Sequence, residues 1–138
     1  MIDFNFETGF VLDDLKKHQF WIEHIILDYG FKLGDVSYIF CNDEYLLQIN
    51  QQYLNHDDLT DIISFDYSEN KIISGDIFIS IDRVKENANQ FKVDFHQELL
   101  RVMSHGILHF MGFKDKNDED QNIMRKNEEI CIEKYVKI

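Results

Sequence analysis

Apolar and polar positions recur along this chain in two periods, and the two periods sort it into strands and helices. Ile2-Asp3-Phe4-Asn5-Phe6 alternates residue by residue and predicts a first strand. From Leu12 to Tyr29 the period lengthens. Leu15, Trp21, Ile22, Ile25, Ile26 and Tyr29 fall at helical intervals, Asp13 and Asp14 suit the positive N-terminal end, and Gly30 stops the helix. Val36 to Phe40 reads as a second strand, with Asn42 as the cap of a helix running through Tyr53. Asn55-His56-Asp57-Asp58 is a polar loop. Asp61 to Tyr67 and Ile72 to Ile81 read as strands, joined by the turn Ser68-Glu69-Asn70-Lys71 into an antiparallel pair. Asp82 is expected to cap a helix ending near Phe91, Asp94 to cap another from Phe95 to Met111, and Asp118 to Tyr135 to form a last amphipathic helix. Helices before, between and after four strands predict an α/β sheet covered by helices.

Composition narrows the class. A chain of 138 residues is expected to form one domain with a core large enough to need no disulfides. It has no proline, no repeat and no linker, and 44% apolar with 14% aromatic residues marks it as globular. Met1 to Glu7 lacks a basic, then apolar, leader pattern, and no apolar run reaches membrane-spanning length, so the expected location is the cytoplasm with no membrane partner. Cys41 and Cys131 stand alone and read as reduced thiols. The net charge of −12 opposes binding to phosphate, because that binding is driven largely by Lys and Arg. An RNA partner therefore requires a local basic face or help from another protein.

The chemistry concentrates in Ser104-His105-Gly106-Ile107-Leu108-His109-Phe110-Met111-Gly112-Phe113-Lys114-Asp115. On a helix, His105 and His109 share a face with Cβ atoms roughly 5–6 Å apart, and two such imidazoles can hold one ion. Gly112 can take a positive φ, end the helix and turn the chain back, bringing Asp115 to the same ion as a third ligand. Three protein ligands leave a position open for water, the arrangement of catalytic zinc. Arg101 lies one turn before His105 on the same face and is a candidate contact to substrate phosphate, against a plainer salt bridge with one of the many acids. His18, His24 and His96 share no ligand spacing and read as surface or interface residues. Asp76 reads as a structural hydrogen-bonding group, and Phe110 and Met111 as core.

The metal stretch, taken with two others, resembles the YbeY family of endoribonucleases, or rRNA maturation factors. That family shows His-Gly-x-Leu-His-x-x-Gly-Tyr-Asp-His, which His105 to Phe113 follows position by position. It also shows Asn-x-x-Tyr-Arg followed by Thr-(Asp/Asn)-Val-Leu-Ser-Phe, matched by Asn50-Gln51-Gln52-Tyr53 and by Thr60-Asp61-Ile62-Ile63-Ser64-Phe65 at the same separation. A Gly-Asp-Ile-x-Ile-Ser strand is matched by Gly75-Asp76-Ile77-Phe78-Ile79-Ser80. The resemblance implies a mixed four-stranded sheet of zinc-peptidase-like architecture with one zinc ion per chain. The implied activity is single-strand-specific endonuclease action in maturation of the 3′ end of small-subunit ribosomal RNA and in ribosome quality control. Implied partners are the small ribosomal subunit and a ribosomal protein or assembly GTPase. It also places Ser64 and Thr60 beside the metal.

Two departures from the family pattern bear on the chemistry. The third histidine is replaced by Asp115, whose carboxylate partly neutralises the ion and weakens selectivity for zinc over manganese or iron. The arginine after the tyrosine is Leu54, which can neither pair with phosphate nor stabilise developing charge; His56 is the nearest possible cation. A non-catalytic, metal-stabilised assembly factor is thus an alternative to the nuclease. A zinc peptidase is a weaker one, since Gly106 occupies the place where a His-Glu-x-x-His enzyme carries its general base. An iron oxygenase shares the two-histidine, one-carboxylate ligand set but is usually built on a β-barrel.

Overall fold

The computed structural model describes residues 1–138. Its elements are β1 (Ile2–Phe6), α1 (Leu15–Asp28), β2 (Lys32–Cys41), α2 (Asp43–Ile49), a π-helical turn (Asn50–Leu54), β3 (Ile62–Asp66), β4 (Ile72–Ser80), α3 (Ile81–Phe91), α4 (Phe95–Phe110) and α5 (Asp118–Val136). The four strands form one mixed sheet in the order β1-β2-β4-β3, parallel except for β3, which runs antiparallel to β4 along the sheet edge. This is the expected α/β fold.

Register explains the layering. Phe4 pairs with Tyr38, Tyr38 with Ile77, and Ile77 with Ser64, so these four share one face. Phe4, Tyr38 and Ile77, with Ile2, Val36, Phe40 and Ile79, meet Trp21, Ile22, Ile25 and Ile26 of α1 and Leu99, Val102, Met103 and Ile107 of α4 in the main core, while Ser64 stands at its edge. Burying each large apolar side chain contributes about 1.5–3 kcal/mol, so this layer dominates stability. The polar tips that enter it find partners: Trp21 Nε1 donates to the Cys131 carbonyl at 2.7 Å and the Tyr38 hydroxyl to the Met103 carbonyl at 2.8 Å. The opposite face carries a smaller cluster in which α2 places Leu46 beside Cys41 and Ile63. Burial pushes the thiols of both Cys41 and Cys131 up to about 12, which keeps them protonated.

Helix starts follow the polar caps, with one correction. Asp14, Asn42, Asp94 and Asn117 each accept a hydrogen bond from the first turn of α1, α2, α4 and α5. Such a cap is typically worth about 1 kcal/mol. Ser80, not Asp82, caps α3. The last residue of β4 is still extended when the helix begins, so its hydroxyl reaches the Arg83 N–H, while the Asp82 carboxylate sits in the first turn and accepts from Asp43 N–H. α1 starts at Leu15 rather than Leu12; Leu12 is buried ahead of the cap. β2 begins four residues earlier than the apolar run suggests, because Lys32 and Leu33 pair with β4 before a bulge.

Candidate metal centre

α4 is buried over most of its circumference, and His105 and His109 occupy the strip left partly open. Their ring centroids are 4.6 Å apart with planes at 79°. Gly106, between them, faces the sheet: a Cβ there would stand 2.9 Å from Ile77 Cδ1 and 3.2 Å from Ile62 Cδ1. Glycine lets the helix approach closely enough to set the histidines over the edge of β3. The same crowding leaves no room for a glutamate.

Beyond Met111 the chain reverses. Gly112 has φ +100°, and its N–H donates to the His109 carbonyl while the Phe113 N–H donates to the Leu108 carbonyl, each at 3.0 Å. Phe113 packs against the core and meets the Tyr29 ring edge-on, and Gln121 of α5 donates to the Asp115 carbonyl at 3.0 Å. So anchored, the loop brings Asp115 Oδ2 to 3.2 Å from Nε2 of both His105 and His109. All three ligand atoms lie within 4.8 Å of one another. A tetrahedral ion with bonds of 2.0–2.1 Å sets its ligand atoms about 3.3 Å apart, so these residues fit a single divalent ion and leave it an open position.

The three residues stand at the floor of a cleft of about 330 Å³, whose other wall is Thr60, Asp61, Ile62 and Ser64. Ser64 and Thr60 also line a neighbouring depression of about 240 Å³ that holds Leu54 and His56. Of the sequence candidates, Ser64 therefore borders both hollows, whereas His56 lies in the second and does not line the metal cleft.

Arg101 lines the cleft too, but its guanidinium is already engaged. Nε donates to Glu98 Oε1 at 2.9 Å and Nη2 to Oε2 at 2.5 Å, while Glu128 and Asp61 each approach to 3.5 Å. Burial works against the charged guanidinium, yet Glu98, Glu128 and Asp61 outweigh it and raise the Arg101 pKa above that of an ordinary arginine. The plainer reading of this residue, a salt bridge, is the arrangement seen.

Two buried residues at the site carry no motif. Glu98 is 2% exposed and Glu128 3%, and Glu128 Oε2 lies 2.6 Å from His105 Nδ1. One signal was present in the sequence: Met124, Glu128 and Cys131 are the buried residues of α5, so Glu128 interrupts an apolar stripe at helical spacing. His18 and His96 also differ from expectation. His18 is buried, and its Nε2 lies 3.1 Å from His96 Nε2.

The fold and the site together define a class: an α/β protein with a histidine–carboxylate group at the end of a core helix that could hold one ion. Residues 10–136 match the family model described as "Endoribonuclease YbeY". Relatives of that name include one from Flavobacterium psychrophilum, 54% identical over 94% of this chain and 92% of its own length, and one from Flavobacterium johnsoniae, 53% identical over 94% and 93%. A solution structure of a Thermotoga maritima protein superposes with a TM-score of 0.73 at 29% identity, covering 98% of this chain and 89% of the other. The chain belongs to the YbeY endoribonuclease family. No helix is long and apolar enough to cross a membrane.

Proposed function

We propose that this protein is a metal-dependent endoribonuclease that hydrolyses phosphodiesters in single-stranded RNA. In this reading its substrate is the 3′ end of small-subunit ribosomal RNA, cut in the cytoplasm during maturation and ribosome quality control. The cofactor is one zinc ion per chain. The partners are the small ribosomal subunit and a ribosomal protein or assembly GTPase that presents the RNA.

The carrying observation is the convergence of His105, His109 and Asp115 on one point at the floor of a cleft, in a chain whose relatives are endoribonucleases by name over nearly their full length. When bound, zinc supplies Lewis acidity that acidifies water and polarises a phosphate oxygen. His105 and His109 would hold it through Nε2, and Asp115 would complete the protein's share of the ligands. On the facing wall the Ser64 hydroxyl is a hydrogen-bond donor for phosphate or ribose oxygens, while the Thr60 hydroxyl donates to the Ile62 carbonyl at 3.3 Å and offers its oxygen as an acceptor. A cleft of about 330 Å³ is at the small end of ligand-pocket sizes and suits one unpaired nucleotide rather than a duplex. Peptidase chemistry of the His-Glu-x-x-His kind is disfavoured, since the position between the histidines is packed against Ile77.

One observation favours a second reading, a metal-stabilised assembly factor without turnover. Arg101 is the one Lys or Arg lining the cleft, and carboxylates already hold its guanidinium. The deciding experiment incubates purified protein with an RNA containing single-stranded and duplex segments, and separately with a peptide mixture, each with and without chelator. Cleavage confined to single-stranded RNA and abolished by chelator is the expected result. Metal binding without RNA cleavage supports the assembly factor, and chelator-sensitive peptide cleavage overturns both.

A further inference from the structure

We propose that Glu128 is the positioning residue of the metal centre: its carboxylate fixes His105 in the tautomer and orientation that present Nε2 as a ligand. The proposal rests on the metal-site reading above and adds a residue on a different helix.

The geometry is specific. Glu128 Oε2 lies 2.6 Å from His105 Nδ1, slightly shorter than a typical charge-assisted hydrogen bond between nitrogen and a carboxylate. An ionised carboxylate only accepts, so Nδ1 carries the proton and Nε2 keeps its lone pair. That lone pair faces Asp115 Oδ2, 3.2 Å away, on the side where an ion would sit. A carboxylate behind a ligating histidine both orients the ring and raises its basicity. His109 lacks such a backing: its one side-chain hydrogen bond runs through Nε2, to Asp115. The pair is thus asymmetric, with His105 aimed in advance and His109 held from the front alone.

The charges point the same way. Glu98 and Glu128 are both buried, and Arg101 is the cation that reaches both. Arg101 gives its short bonds to Glu98 and only a 3.5 Å contact to Glu128, so much of the Glu128 charge remains directed at His105. A buried carboxylate is costly unless paired. Glu128 meets that requirement through His105 Nδ1 at 2.6 Å and Arg101 at 3.5 Å, which ties its burial to the position of the His105 ring.

The test uses the full chain at a pH where imidazoles are neutral. In metal-free protein, nitrogen NMR of His105 reports which ring nitrogen bears the proton. The expected result is Nδ1–H in the wild type and a mixture in Glu128→Leu. Zinc affinity by chelator competition is expected to fall about 100-fold in Glu128→Leu and about tenfold in Glu128→Gln, which keeps an acceptor without the charge. A proton on Nε2 in the wild type, or wild-type zinc affinity in both variants, overturns the proposal. Should the leucine variant fail to fold, the wild-type tautomer and the glutamine variant still decide. Should the wild type bind no zinc, the metal-site reading fails, while the tautomer measurement still judges the role of Glu128.

Discussion

A pair of imidazoles lies at each end of helix α4, one pair wholly its own and one shared with α1, and the two differ instructively. At the C-terminal end His105 and His109 stand with ring centroids 4.6 Å apart; at the N-terminal end His96 meets His18 of α1 at 5.3 Å. Both pairs cross their rings at steep angles. The difference lies in where the lone pairs go. His18 Nδ1 donates to the Asp14 carbonyl at 2.9 Å, so its Nε2 accepts from His96 Nε2–H at 3.1 Å. That pair spends its lone pair internally and joins two helix starts beneath the Tyr135 ring. At the other end both Nε2 atoms turn outward to the same carboxylate oxygen. Two neighbouring histidines alone do not form a three-ligand group; at the C-terminal end a glycine turn delivers the third donor that could hold an ion with them.

Removing one member of each pair breaks the comparison most forcefully. His105→Ala is expected to abolish RNA cleavage and lower zinc affinity by more than about 100-fold, since one of three ligands is gone. His96→Ala is expected to leave zinc affinity unchanged and lower stability by about 1 kcal/mol through the lost part-buried hydrogen bond to His18. Isothermal titration and melting curves on both variants check this, and weakened zinc binding in His96→Ala would count against it.

Asp115→Asn makes the C-terminal pair more like the N-terminal one, because both imidazoles stay but the charged donor goes. Zinc affinity should fall about 10–100-fold with the melting temperature of the metal-free protein nearly unchanged. Leu54→Arg addresses the strand side of the cleft. A guanidinium at the rim of the neighbouring depression should raise RNA affinity several-fold, read by filter binding at fixed salt, because it restores a phosphate clamp. No gain there would show that the missing arginine is not what limits RNA binding.

Acid should loosen the N-terminal pair. Burial is the leading cause that lowers the pKa of both His18 and His96, with the neighbouring positive charge of Lys17 adding to it and Asp13, Asp14 and Asp94 opposing it. The unfolded chain then takes up protons near the ordinary imidazole value of about 6.5 while the folded protein stays neutral. Stability is therefore full above that pH and declines as pH falls below it. Metal-free protein should melt progressively lower from about pH 7 to pH 5, and His96→Gln should flatten the slope. An equally steep slope in that variant would assign the acid lability elsewhere.

The two ends also differ in how far they were legible in the sequence. The C-terminal pair, its glycine and its aspartate sit within eleven residues, and local rules of helix spacing and C-terminal reversal suffice to assemble them. Strand and helix identities followed from periodicity for the same reason. What local rules cannot deliver is a contact made across the fold. His18 meets His96 at a separation of 78 residues, and Glu128 reaches His105 across 23. α5 reads as an amphipathic helix, and its one buried carboxylate, Glu128, was hidden among acidic neighbours such as Glu129. Arg101 shows the converse: spacing put it on the face of the histidines, and only packing revealed that Glu98 holds it. The cap of α3 moved from Asp82 to Ser80 because β4 runs into the helix without a loop.

The most direct measurement is the zinc content of untagged protein after equilibrium dialysis, wild type against His109→Ala. One ion per wild-type chain and essentially none in the variant is the expected result. Equal zinc in both, or none in the wild type, would contradict the convergence of His105, His109 and Asp115 on a single ion.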